Sequence, residues 1–476
     1  MRSLKFTTQK SILKKFLLII MLLFPAVIYS QPAQLDTTFN IGSGANAGIN
    51  ELIIQPDDKL IVAGMFVNFN GTPAGRIIRL LPDGGIDSTW ITSTGGADLD
   101  IRGMALQPDR KLLIGGIFDL YNGATVNHLV RLDSVGNIDS TFVVGAGPDN
   151  EVQGITVNTN RAVIRGFFSE YQGTPVPSFA VLQMNGSLDP SFILPNESFL
   201  SVSDFHILSN DQLYLGGNFT TYNGQTVNRI VRLLPNGSID TAFNTGSGLN
   251  AMVRRLLVQD NGDILVAGTF NTYKGSPVSR LIRLRPNGDR DTSFNAVVPS
   301  LATLDALAID TTGRIYITGS DAGTLFLKRL LTDGSEDPDF NTGTGFNGNI
   351  TQLAHQNNNK LIVTGFFTIY QNQQAGRVAR LFTNAPILST ENIFTQDNVT
   401  IYPNPCTDKF YFRIKNASSG EIKLKVRDIH GRQIYEGKYN TNENISITSE
   451  GWLPGIYIVE MLNPNGDNSI QKLMKL

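Results

Sequence analysis

A recurrence restricts the fold of this chain more than any other feature. The pattern Asp-x-x-aromatic stands at Asp36/Phe39, Asp87/Trp90, Asp139/Phe142, Asp189/Phe192, Asp240/Phe243, Asp291/Phe294 and Asp337/Phe340, at spacings of 51, 52, 50, 51, 51 and 46 residues. Between these landmarks the same pieces return in order. An apolar-alternating run such as 49–55 meets a Pro-Asp or Asn-Gly turn, and a second run ends in Gly-x-Phe (Gly64/Phe66, Gly116/Phe118, Gly166/Phe168, Gly217/Phe219, Gly268/Phe270, Gly365/Phe367). An aromatic-Asn-Gly loop follows in several units, then a third run closing on Arg-Leu and a turn such as Pro235-Asn236-Gly237. Short runs rich in Ile, Val, Leu and Phe between Gly, Pro, Asn and Asp read as strands joined by tight turns, with no helical period among them. Repeats of about 40–50 residues holding four strands imply propeller blades. The expected fold is all-β: a seven-bladed β-propeller followed by a small C-terminal β-sandwich, Ig-like in type.

Composition supports a folded body. With 41% apolar and only 17% charged residues the chain is too hydrophobic for disorder, so its 46 glycines are turn punctuation. Residues 1–30 stand apart: Arg2, Lys5, Lys10, Lys14 and Lys15 precede an apolar run, 16–29, and Ser30. That is the anatomy of a secretory signal peptide, with cleavage expected near Ser30. The expected map is signal 1–30, propeller 31–383, linker 384–398 and tail domain 399–476. The whole chain carries −2, but residues 31–385 hold 24 basic and 31 acidic groups, a net of −7. Nucleic acid is therefore not an expected partner, since that binding needs clustered cations. One cysteine, Cys406, leaves no intramolecular disulfide and no CxxC site.

Register predicts how the ring closes. The repeat begins with an Asp-x-x-Phe segment at 35–39, whereas the seventh body ends at Arg380-Leu381-Phe382 without one. The N-terminal segment should then complete the last blade and leave no open edge.

An arginine stands eight residues before the aspartate in Arg79/Asp87, Arg131/Asp139, Arg232/Asp240, Arg283/Asp291 and Arg329/Asp337, and Arg380 would take Asp36. That spacing suits a charged pair across a hairpin, a structural role in every blade rather than a ring of ligand-binding arginines. Unit three has Val181 in the arginine place, which leaves Asp189 without this partner. Tyr121, Tyr171, Tyr222, Tyr273 and Tyr370 should gather at one rim, either packed between blades or exposed as a candidate ligand rim for sugars or a protein. Unit six lacks both the loop and the Gly-x-Phe box, and is the candidate binding notch.

No catalytic, metal or cofactor site is expected. The single GxGxxG, at Gly343–Gly348, precedes a strand rather than a helix. The oxygen-rich run 333–339 falls on a repeat turn and a repeat landmark, not on a calcium loop. Four histidines sit at unrelated positions and no GxSxG is present. The alternative to a binding or scaffold module is a glycosidase or lyase acting on extracellular polysaccharide, with carboxylates drawn from distant blades. A monomer is expected.

Two resemblances sharpen this reading. The tail carries Tyr402-Pro403-Asn404-Pro405, Asp428-Ile-His-Gly431-Arg432, Pro454-Gly455-Ile-Tyr457 and a terminal Lys472–Leu476. In this order it resembles the type A C-terminal sorting domain of the type IX secretion system. The resemblance implies recognition by the outer-membrane translocon, tail removal by a sortase, and delivery to the cell surface or medium. The repeats, quoted as Gln55–Phe66 and Leu234–Phe243, resemble the delta-60 family, which implies a propeller without a defined activity.

Overall fold

The computed structural model describes residues 33–90, 95–300, 302–356, 359–384, 399–414, 421–428, 432–440, 445–462 and 468–476. The expected signal segment 1–30, the linker from 385 onward and Gly431 lie outside them. One compact unit falls within Ser30–Pro386 and another holds Ile387–Leu476. Among the described residues all regular structure is strand.

Among the described residues the larger unit holds seven three-stranded antiparallel sheets, with a small two-stranded sheet accompanying each except that of unit six. Their inner strands are Ile49–Ile54, Ile101–Leu106, Val152–Val157, Val202–Ile207, Val253–Val258, Thr303–Ile309 and Ile350–Gln356. The middle strands are Leu60–Gly64, Leu112–Gly116, Arg161–Gly166, Leu213–Gly217, Ile264–Gly268, Ile315–Asp321 and Lys360–Gly365. Middle strands such as Leu60–Gly64 are buried at every position, which is why their sequences read as unbroken apolar runs: both faces meet a neighbouring sheet. Asn50 Nδ2 donates to Ile101 O (2.9 Å) and Thr351 Oγ1 to Ile49 O (2.7 Å), so the first inner strand lies between those of units two and seven. The hydrophobic core is correspondingly divided into clusters between consecutive sheets, including one that joins units seven and one. Phe66, Phe118, Phe168, Phe270 and Phe367 are fully buried there, each contributing about 1.5–3 kcal/mol.

The fourth strand expected in each unit is reduced to a single bridge, as at Leu80↔Ile86 and Leu132↔Ile138. For the last sheet the bridge is Leu35↔Leu381. Ala33 N donates to Phe382 O (2.7 Å), Phe382 N to Gln34 O (3.0 Å) and Asp36 N to Arg380 O (2.7 Å). The first described residues thus pair with the last strand of the repeat.

Each inner strand carries an irregularity at the same place. Pairing skips one residue between Ile49 and Glu51, Ile101 and Gly103, Val152 and Gly154, Val202 and Asp204, Val253 and Arg255, Leu304 and Ala306, and Ile350 and Gln352. A bulge turns successive side chains away from strict alternation. Opposite it stands the glycine of the Gly-x-Phe box. A Cβ on Gly64, Gly116, Gly166, Gly217, Gly268 or Gly365 would overlap the carbonyl oxygen just before the inner strand, so the recurrent glycine is required by the bulge. In the aromatic-Asn-Gly loops, Asn70 (φ 49°) and Gly71 (φ 77°) both take positive φ, the backbone of a tight two-residue hairpin. Unit six instead extends one long hairpin, Ile315–Asp321 with Thr324–Leu330.

The smaller unit has a three-stranded sheet (Val399–Tyr402, Lys409–Ile414, Ile445–Thr448) and a four-stranded one (Gln433–Asn440, Glu421–Asp428, Gly455–Leu462, Asn468–Lys475). Phe410, Phe412 and Ile447 of the first share a buried core with Leu424, Val426, Val459 and Leu473 of the second. The sorting-motif residues stabilise its edges. Tyr402 stacks on Tyr411 (5.7 Å), and Tyr402–Pro403 and Asn404–Pro405 are cis. Asn404 exchanges hydrogen bonds with Lys472 O (2.7 Å) and Met474 N (2.9 Å), tying its turn to the last strand. Arg432 pairs with Asp428 (3.0 Å), and Tyr457 OH donates to Leu453 O (2.7 Å) beside exposed Pro454 and Gly455. Cys406 is buried.

Candidate functional site

The recurrent charged residues sit at the perimeter, where they form one device per unit. Asp87 is typical: its Oδ1 accepts from the amide and hydroxyl of Thr89 (3.0 and 2.6 Å), and its Oδ2 from Arg79 Nε (2.8 Å) and Lys59 (3.0 Å). Arg79 then reaches Ser134 O in the next unit (2.8 Å) and lies over the Trp90 ring (4.8 Å). The forward contact repeats from Arg131 to Met184 O (2.6 Å), Arg232 to Pro286 O (2.7 Å), Arg283 to Thr332 O (2.9 Å), Arg329 to Thr383 O, and Arg380 to Pro82 O (2.6 Å). The carboxylates Asp139, Asp240, Asp291, Asp337 and Asp36 hold these guanidinium groups within 2.6–2.8 Å. Burial works to raise the carboxyls of Asp36, Asp87 and Asp139. Hydrogen bonds from the neighbouring threonine, with the cations, outweigh it and hold all three below the ordinary range. The same balance, with Ser293 and Arg283, brings Asp291 to about 2.

Unit three corrects one expectation. Asp189 does have a partner: Arg161, the first residue of the middle strand, pairs with it at 2.7 Å and reaches Pro235 O at 2.6 Å. Arg161 occupies the position of Lys59 and Lys111, 28 residues before the aspartate, and from there performs the arginine's task. That spacing was a usable signal.

The exposed tyrosine rim is also corrected. Tyr121, Tyr171, Tyr222, Tyr273 and Tyr370 are each at most 2% exposed. Their loops fold over the sheet, so the rings enter the space between units. The hydroxyls donate to turn carbonyls: Tyr121 to Gly136 (3.2 Å), Tyr171 to Gly186 (2.6 Å), Tyr222 to Gly237 (3.0 Å), Tyr273 to Gly288 and Tyr370 to Ala33.

The site that sequence reasoning missed is central. A cavity of about 700 Å³ is lined by the bulged stretches of the inner strands, among them Glu51, Arg102, Asp204, Arg255 and Gln352, and by Arg165 of a middle strand. Several of its charges are paired: Arg76–Asp100 (3.2 Å), Arg102–Glu151 (2.7 Å) and Arg254–Asp305 (3.0 Å). Asp204 accepts from the amides of Phe205 (3.0 Å) and Leu256 (2.8 Å). Glu51 accepts from Gln352 (3.2 Å), and burial pushes its carboxyl up to about 8 against the pull of Arg255 and Arg165.

The residue between the glycine and phenylalanine of each box has its amide bonded to the residue before the inner strand, as Met65 is to Gly48 and Phe366 to Asn349, and of these residues Met65 and Phe366 line the channel. Phe366, Met65 and Phe167 are 45%, 39% and 56% exposed, with Ile117 half-buried. At this repeat position units seven, one, two and three carry apolar residues, whereas units four and five carry Asn218 and Thr269. At unit six a second cavity of about 360 Å³ opens beside Thr318, Phe326, Phe340 and Phe346, and shares Asp305 and Ile350 with the channel wall. No group of side chains suited to hold a metal occurs among the described residues.

Comparison with known proteins agrees with this architecture. The domain of unknown function (DUF5122) beta-propeller family matches residues 55–89, 107–142, 208–243, 259–294 and 356–384, which lie in units one, two, four, five and seven. The secretion system C-terminal sorting domain matches residues 400–475. That tail marks the chain for export to the cell surface or extracellular space and for interaction with the secretion system. An endo-acting ulvan lyase of Formosa agariphila is 25% identical over 85 residues, 18% of this chain and 16% of the lyase. Among solved structures, a putative gluconolactonase is 14% identical over 77% of this chain and 95% of its own, with a TM-score of 0.34. Prolyl oligopeptidase B from Galerina marginata, bound to a 35mer substrate, is 10% identical over 80% of this chain and 57% of its own, at 0.41.

Proposed function

We propose that this chain of DUF5122 propeller repeats with a secretion sorting tail acts outside the cell as a binding module, and that its ligand enters the central channel. The observation that carries the reading is the channel itself. Hydroxyl, amide and charged groups line it together with exposed Phe366 and Met65. Polar walls with an aromatic lip suit an extracellular glycan, whose hydroxyls need hydrogen-bonding partners and whose ring faces stack on aromatics. In this reading the propeller is a monomer that needs no cofactor, its leader is removed near Ser30, and its tail is cut away by a sortase at the surface.

Screening residues 31–476 against arrayed glycans and proteins tests the binding role. Capture of glycans that Phe366→Ser with Met65→Ser abolishes supports it, and binding that ignores both substitutions places the ligand elsewhere. Export is tested separately: the chain lacking residues 390–476 should accumulate in the periplasm, and its normal appearance at the surface would refute the sorting role.

A second reading, cleavage of polysaccharide, is favoured by the 85-residue likeness to an ulvan lyase and by Glu51, a carboxyl that burial pushes up to about 8 among arginines. Release of new reducing ends or unsaturated products from extracellular polysaccharides, lost in Glu51→Gln, would decide for it.

A further inference from the structure

The third unit breaks the repeat at one position facing the channel. Where the inner strand bulges, the paired residues of the middle strand are Ala63, Gly115, Arg165, Gly216, Ala267, Thr318 and Thr364. Six are small. The inner-strand partners include the long side chains of Glu51, Asp204, Arg255 and Gln352. In unit three the sizes are exchanged: the inner residue is Gly154, and the Arg165 side chain passes over it, its Nε 2.9 Å from where a Cβ would stand. Nothing in blade packing calls for this exchange, because the other six units do without it.

Arg165 is also costly where it stands. Burial pulls its pKa down; Arg255 adds to that pull, and Asp204 and Glu51 oppose it. Its Nε is buried without a hydrogen-bond partner, and among the described residues it makes no ion pair. Phe205, 5.7 Å from the guanidinium, fixes its orientation without satisfying it. Arg255 donates only to the carbonyl of Arg254 (2.9 Å). The carboxylate beside them, Asp204, is engaged by two backbone amides rather than by either arginine. Two half-buried guanidinium groups without an ion-pair partner among the described residues therefore share one channel, an arrangement tolerated where a ligand completes it.

We infer that Arg165 and Arg255 form an oxyanion site, and that the ligand of the channel is an acidic saccharide whose carboxylate or sulfate group bridges the two guanidinium groups. This rests on the reading of the propeller as a glycan-binding module. Arg presents parallel N–H donors that match either oxyanion bidentately. Glu51, pushed up to about 8 by burial, is a donor in its neutral form, and the side-chain oxygens of Asn50, Gln153 and Thr351, whose own donors are held by Ile101 O, Glu151 and Ile49 O, remain along the wall to accept from sugar hydroxyls.

The test is calorimetric titration of residues 31–476 with tetragalacturonate, its methyl ester, a sulfated oligosaccharide of equal length, and inorganic sulfate. Acidic oligomers should bind about tenfold or more tighter than the ester, and Arg165→Gln or Arg255→Gln should remove about that factor. Arg165→Lys, which keeps the charge but not the fork, should fall between. The stronger of the two acidic oligomers identifies the anion as carboxylate or sulfate. Equal binding of ester and acid, or undiminished binding by a folded Arg165→Gln/Arg255→Gln protein, overturns the oxyanion site and leaves the glycan reading intact. Inorganic sulfate binding as tightly as the oligomers, with the same dependence on Arg165, reduces the site to an adventitious ion only. Failure of every saccharide, neutral or acidic, overturns both readings.

Discussion

The perimeter and the channel wall of the propeller are made from the same repeats, yet they follow opposite rules. At the perimeter every unit rebuilds one arrangement of carboxylate, hydroxyl or amide, and guanidinium, and when unit three loses its arginine at Val181 another takes over from the adjacent strand. At the wall the two bulge residues change from unit to unit: Asn50-Glu51, Arg102-Gly103, Gln153-Gly154, Ser203-Asp204, Arg254-Arg255, Asp305-Ala306 and Thr351-Gln352. Ring assembly requires each sheet to grip the next in the same way, so the grip cannot vary. Ligand recognition requires one asymmetric surface, so the wall must vary.

The contrast can be broken most severely at the closure. Deleting residues 31–40 removes Asp36 and leaves buried Arg380 and half-buried Lys360 without their carboxylate. The expected loss is about 3–5 kcal/mol from the orphaned charge alone, with further loss from the opened edge. Thermal unfolding measures it, and an unchanged melting temperature would refute closure by the N-terminal segment.

Arg329, 2% exposed, and Arg165 form the next contrast. Arg329→Ala should cost about 3 kcal/mol by stranding Asp337. Arg165→Met, which relieves an uncompensated charge, should leave stability unchanged or raise it by about 1 kcal/mol. Denaturant titration of both variants compares them directly, and equal destabilisation would erase the distinction between the two rings.

Acid should act on the perimeter first. Asp36, Asp87, Asp139 and Asp291 have folded pKa values below the ordinary 3.8, so the stability they contribute is present above that value and is lost as the pH falls toward 2. Melting temperatures measured across this window should drop steeply. Glu51 has the opposite sign. Its folded value is raised from 4.5 to about 8, so stability is lost as pH rises between those values. Glu51→Gln should therefore melt a few degrees higher than the native chain near pH 8, with a smaller difference near pH 5.

The perimeter was legible in the sequence because its spacing is local. Eight residues across a hairpin bring Arg79 to Asp87, and recurrence multiplies the signal. The forward contacts were not legible, since Arg79 meets a bare carbonyl, Ser134 O, and any residue type supplies one. For the tyrosines the sequence left packing between blades and exposure at a rim both open, because an aromatic beside a surface loop fits either until the loop folds back and seats its hydroxyl on a turn carbonyl. The side chains that line the channel left no periodic trace. The bulge that aims Glu51 and Asp204 inward announces itself only through the glycine opposite, and the residues it aims differ from unit to unit.

Closure by the N-terminal segment also sets an order of events. Ala33–Asp36 leaves the ribosome early, but its partners, Arg380 to Phe382, emerge some 345 residues later. Until then the last sheet lacks its bridge to Leu35 and the ring stands open, exposing apolar surface of the kind chaperones guard. The sorting tail is synthesised only after those partners. A chain that stops before Arg380 therefore has neither a closed ring nor the sorting tail.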